Sequence, residues 1–110
     1  MSVRGGTVSQ VMQTAAVATG AGTPIDVTGL ATLCAQVTGI TTATITWEAT
    51  MNGSTWTGLL AAPITTGTGA LTATADGIYR MDVRGLQAVR ARVSAWTSGA
   101  VTVVGIATEE

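Results

Sequence analysis

The sequence predicts an all-β fold in one domain, and three observations carry the prediction. Thr, Ala and Gly fill about half of the chain; β-branched residues suit a pleated surface, and glycines suit tight turns. Apolar and polar residues alternate over several short runs, as in strands with one buried face. Turn signals of Gly, Asn, Ser and Pro separate these runs roughly every ten residues, the spacing of a sandwich or barrel of about eight or nine strands. At 110 residues the chain has the size of one domain with one core.

Taken in order, residues 1–7 read as an extended N-terminal arm and Val8 to Gln13 as the first strand, ended by the Gly-rich segment Thr19 to Pro24. Ile25 to Thr28 and Thr32 to Thr38 supply the next two strands. In the latter, Leu33, Ala35 and Val37 point one way, and Cys34 takes the less apolar face. The clearest alternation is Thr44 to Met51, with Ile45, Trp47, Ala49 and Met51 on the core side. Asn52-Gly53 follows at once, the strongest short hairpin signal, because a type I′ turn needs positive φ at both central residues. In that register Ala49 faces Trp56, which places Trp56 beside Trp47 in the core.

Residues 61–75 are the least regular, with a loop around Thr65 to Thr68 and one short strand near Leu71 to Thr74. After the Asp76-Gly77 turn, Tyr79, Met81 and Val83 oppose Arg80 and Asp82. Val89, Ala91, Val93 and Ala95 then oppose Arg90, Arg92 and Ser94. Ser98-Gly99 reads as a hairpin into a last strand, Ala100 to Thr108, in which Val101 and Val103 face one side and Val104 and Ile106 the other. A strand apolar on both faces is expected to be covered on both. The whole, residues 1–110, reads as a single antiparallel β-sandwich, jelly-roll or Ig-like.

The residue inventory leaves little room for catalysis. There is no histidine and one cysteine, Cys34, so Ser-His-Asp and Cys-His arrangements, common zinc sites and an internal disulfide are excluded. The six acidic residues are scattered, and an acid pair would require Asp26 with Glu48, or Glu48 with Asp82, to meet across the sheet. Thr50 to Trp56 resembles the Asp-box hairpin but lacks one residue of its spacing and occurs once, which fits an Asx-type turn and not a propeller. No enzyme activity, cofactor or metal is expected. A net charge of -1 offers no field for specific nucleic-acid binding. No run approaches the apolar length of a membrane span, and the N-terminus lacks a signal-peptide core, so synthesis in the cytoplasm is expected.

Partner surfaces are the remaining candidates. Charged residues make up 10% of the chain, and a lightly charged exterior suits burial in an assembly. Arg80, Arg84, Arg90 and Arg92 concentrate four of the five basic residues. They read either as a partner-binding stripe, with a salt bridge to Glu109 or Glu110 of a neighbour, or as a local ladder with Asp82 and Glu48. Trp96 falls opposite the core set of its strand, where it stacks on a sugar or plugs a neighbour's pocket, unless a bulge turns it inward. With Val104 and Ile106, these are the candidate interface residues.

The segments Thr46 to Trp56, Tyr79 to Leu86, Val89 to Val93 and Thr97 to Val103, in that order, resemble small virion proteins of tailed bacteriophages. The resemblance covers roughly residues 44 to 105 and rests on sandwich turn and core patterns. It implies a structural β-sandwich of a head or tail: a capsid decoration protein, head fibre or tail component. The expected partners are other virion proteins, such as the major capsid or tail protein, and copies of the chain itself. The alternative is a carbohydrate-binding or host-adhesion module of a tail or fibre, recognising surface glycans through Trp96 and the Thr65 to Thr68 loop. The implied location is the virion.

Overall fold

The structure is a computed structural model that describes residues 6–109. Residues 1–5 of the expected N-terminal arm therefore lie outside the described residues, and Thr7 already pairs with Thr108. Eight strands follow: β1 (Thr7–Ala16), β2 (Ile25–Asp26), β3 (Thr32–Thr50), β4 (Thr57–Gly58), β5 (Ala62–Pro63), β6 (Thr72–Ala73), β7 (Gly77–Asp82) and β8 (Ala88–Thr108). All pair antiparallel in one sheet of order β1-β8-β3-β7-β5, with β2 beside β8, and β4 and β6 beside β3. The all-β antiparallel prediction holds.

The sandwich arises because β3 and β8 pair along their whole length and double over together. Thr32 to Thr38 of β3 pairs with Thr102 to Thr108 of β8 and, on its other edge, with β7. Thr44 to Thr50 pairs with Ala88 to Ala95 and, beyond, with β4 and β6. The sequence reading splits each of these strands in two and places a hairpin at Ser98-Gly99; the structure corrects both, since the chain runs straight through. Register shifts between Thr38 and Ile45 bend the paired ladder at the corner without breaking it. Gly39 and Gly99 occupy the corner with φ of 83° and 108°. A Cβ on Gly99 would stand 2.5 Å from the Gly39 carbonyl oxygen and 2.8 Å from the Thr41 amide, so both conformation and space demand glycine. The Asp76 carboxylate accepts from the Gly39 and Ile40 amides at 3.2 and 2.9 Å, which occupies donors at the bend.

The core lies between the layers. Ile45, Trp47, Val89, Ala91 and Val93 of one face Leu33, Val37, Tyr79, Met81, Val101 and Val103 of the other, all buried. Gln13 and Thr50 are the buried polar residues among the described residues, and the Gln13 carboxamide donates to the carbonyls of Gly20 and Ala91, tying the Gly-rich segment to β8.

Two side-chain placements differ from the sequence reading, each by one residue of register. The Asn52-Gly53 turn is not type I′: Gly53 has φ 82°, but Asn52 keeps negative φ. The Asn52 Oδ1 atom accepts from the amides of Ser54 and Thr55, and Thr50 Oγ1 from those of Asn52 and Gly53, which makes a wider Asx-type loop. Ala49 consequently pairs with Thr57, not Trp56. A one-residue slip sends every side chain to the opposite face; Trp56 leaves the core and Met51 is 74% exposed. On β8, Thr44 pairs with Ala95 and Ile45 with Val93, leaving Ser94 as the extra residue of a bulge. Ala95 is thereby exposed and Trp96 turned inward.

Candidate functional site

The register sets the pattern on the outer face of the layer built on Thr32 to Thr38. Val11, Val104, Gln36 and Ile78 line up across β1, β8, β3 and β7, and beside them run Ser9, Ile106, Cys34 and Arg80. These residues alternate with the core set, so they point away from it. Val11, Ile78, Val104 and Ile106 are 45%, 37%, 38% and 47% exposed. Cys34, Gln36, Ile78, Val104 and Ile106 enclose a shallow depression of about 160 Å³. Val104 and Ile106 lie on the side opposite the buried Val101 and Val103, as the alternation predicts, and no described residue of this chain covers that side. Val11 and Ile78 were missed because only the register joins them to β8.

Arg80 and Arg84 border this face. Arg84 clasps Asp82 through two donors, at 3.1 and 3.0 Å. The side-chain bonds from Arg84 hold the Asp82 carboxyl below its ordinary pKa, and the same bonds raise that of Arg84. Both side chains are exposed, so the pair adds little stability. Arg80 makes no ion pair among the described residues and shares a shallow groove with Arg84 and Glu109. Glu110 of the expected salt bridge lies outside the described residues.

Arg90 and Arg92 stand on the other layer, so the four arginines form two groups and not one stripe. The separation follows from β7 pairing with β3, while β8 doubles over on the opposite side. Glu48 sits between Arg90 at 2.8 Å and Arg92, which donates to both carboxylate oxygens at 3.1 and 3.2 Å. Burial of the Glu48 carboxyl opposes its ionisation, but the hydrogen bonds and charges of Arg92 and Arg90 outweigh it and hold the pKa below the ordinary value. Glu48 thus faces two arginines and not a second carboxylate. The Arg90 guanidinium lies over the Trp56 ring, 4.2 Å from its centroid. Trp96, half-buried against the core, donates its indole N–H to the Gly99 carbonyl at 3.0 Å. The inward alternative of the sequence reading is the one realised.

A family model named XepA matches residues 6–107. The chain belongs to the XepA family. Two solved structures share the fold across 98% of the chain. The SPBc2 prophage-derived protein YomS has a TM-score of 0.89 at 23% identity, with 97% of its own chain covered. The PBSX exported protein XepA has a TM-score of 0.92 at 17% identity, and this member of the XepA family spans only 39% of that chain. No curated protein sequence matches. YomS is a prophage-derived protein and the PBSX protein an exported one, and both share the fold of this chain.

Proposed function

We propose that this chain is a structural protein of a tailed-phage virion that decorates or stabilises the capsid by packing against copies of itself and against other virion proteins. One observation carries the reading: Val11, Ile78, Val104 and Ile106 are exposed together on the outer face of one layer. Strands of a free monomer alternate core-facing apolar with solvent-facing polar residues, and an apolar outer face marks a surface built to be covered. The low charge of the chain supports the same reading, because little desolvation of charge opposes contact. The role is assembly and not catalysis, and it places the protein in the virion after synthesis in the host cytoplasm.

The test is the solution mass of the purified chain beside a Val104→Asp, Ile106→Lys double variant, with electron microscopy of phage particles from cells that make the protein. The native chain should sediment as a multiple of 11.0 kDa and appear on particles, and the variant should be a folded monomer absent from them. A native chain that stays monomeric at about 100 μM, where even weak contacts populate, and is missing from particles would overturn the proposal.

A further inference from the structure

The groove beside Trp56 lies on the other layer and does not depend on the assembly reading. It measures about 300 Å³ and is walled by Pro24, Asp26, Thr50, Trp56, Gln87 and Ala88. Trp56 is a fixed wall: Arg90 lies over one face of the indole at 4.2 Å, and Arg90 is itself held at 2.8 Å by the half-buried Glu48. A surface aromatic so held loses little entropy when something stacks on it.

The polar groups around the groove include a carboxylate and a carboxamide. Asp26 presents a carboxylate whose pKa is lowered by hydrogen bonds from Thr28, so it is an acceptor at neutral pH. Gln87 is exposed, and its carboxamide makes no hydrogen bond among the described residues. Its backbone, in contrast, is fixed, the amide donating to Thr50 and the carbonyl accepting from Val27. The carboxamide lies beside the Asn52-Gly53 loop, its Oε1 at an ordinary contact distance of 3.6 Å from where a Gly53 Cβ would stand. An indole wall, a carboxylate and a free carboxamide around a small groove match a pyranose ring. Its C–H face stacks on an aromatic, while adjacent hydroxyls donate to carboxylate and carboxamide oxygens and accept from the carboxamide N–H.

We infer that the groove between Trp56, Asp26 and Gln87 is a saccharide subsite, taking one neutral hexopyranose with vicinal hydroxyls. The ring stacks on the indole and the hydroxyls bridge Asp26 and Gln87. A site this small and open holds a single sugar at millimolar affinity.

The experiment is an NMR titration of the ¹⁵N-labelled full chain with methyl α-glucopyranoside, methyl α-galactopyranoside and N-acetylglucosamine, each to about 50 mM to reach millimolar sites. The glucoside and galactoside stand for surface polysaccharide, and N-acetylglucosamine for cell-wall glycan. With at least one sugar, the indole N–H of Trp56 and the carboxamide of Gln87 should shift saturably while the indoles of Trp47 and Trp96 stay still. Gln87→Ala, which removes an exposed carboxamide with no partner among the described residues, should weaken that binding about fivefold or more; Trp56→Leu should abolish it. If Trp56→Leu fails to fold, Gln87→Ala decides. No shift with any of the three sugars, a response unchanged by Gln87→Ala, or a response to inorganic phosphate alone would overturn the assignment.

Discussion

Trp47 and Tyr79 meet across the two layers with ring centroids 5.5 Å apart and planes tilted by 45°. Trp47 comes from the half of β3 that pairs with the first half of β8, and Tyr79 from β7, which pairs with the other half. Their contact therefore holds the doubled sheet closed. Trp47→Ala should cost about 3–5 kcal/mol in urea unfolding, from lost burial and the cavity left behind. Trp47→Phe should cost clearly less, because the buried Trp47 Nε1 has no hydrogen-bond partner among the described residues and its loss removes an unsatisfied donor. Equal costs for the two variants would contradict this account of the contact.

Tyr79 adds an alkaline limit. Burial, reinforced by the negative charge of Asp76, raises its pKa above 10.0, while the Tyr79 hydroxyl donates to the Ala75 carbonyl at 2.6 Å. A folded-state pKa above the unfolded value gives stability that is complete below the unfolded pKa and lost as pH rises through the folded one. Tyr79→Phe should cost about 1 kcal/mol at neutral pH. Above pH 10.0 the native chain should lose stability more steeply than the variant. Unfolding free energies measured on both sides of that pH, with parallel curves for the two proteins, would refute the assignment.

The alternating runs were legible because each follows from local chemistry: Leu33 to Val37, Ile45 to Ala49, Tyr79 to Val83 and Val89 to Val93 all bury the side predicted. What failed was parity across irregularities. Thr50 and Asn52 build an Asx-type loop one residue longer than the Asn-Gly signal implies, and Ser94 bulges, so Trp56 and Trp96 exchange the roles expected of them. The Ser98-Gly99 pair read as a hairpin because a glycine that ends a strand and one that bends it look alike. The apolar face was half visible: Val104 and Ile106 stood out on one strand, while Val11 and Ile78 join them only through long-range pairing.

The corner glycines give a contrast that isolates the bend. Gly85 also has positive φ, at 84°, but none of the described residues lies within 4 Å of a Cβ added there. Gly85→Ala should therefore cost about 1 kcal/mol of backbone strain alone. Gly99→Ala adds a clash with the Gly39 carbonyl and Thr41 on the partner strand and should cost about 3 kcal/mol or more. Thermal unfolding of the two variants side by side checks the ordering, and equal losses would mean that the corner is not fixed by close approach.

Glu48 gives the acid counterpart of Tyr79 and tests the charge network under Trp56. Its carboxylate, with a side chain 13% exposed, balances Arg90 and Arg92 at 21% and 39%. Glu48→Gln keeps the shape and strands two cations, so it should cost about 1–3 kcal/mol near neutral pH, between the values for exposed and buried pairs. Because the folded-state pKa lies below the ordinary glutamate value of 4.5, the stabilisation is present above that value and disappears as pH falls through the folded pKa. The stabilities of the native chain and Glu48→Gln should therefore converge in acid. A gap that stays constant from neutral pH to about pH 3 would assign the effect to packing and remove the electrostatic account of how Arg90 is held over Trp56.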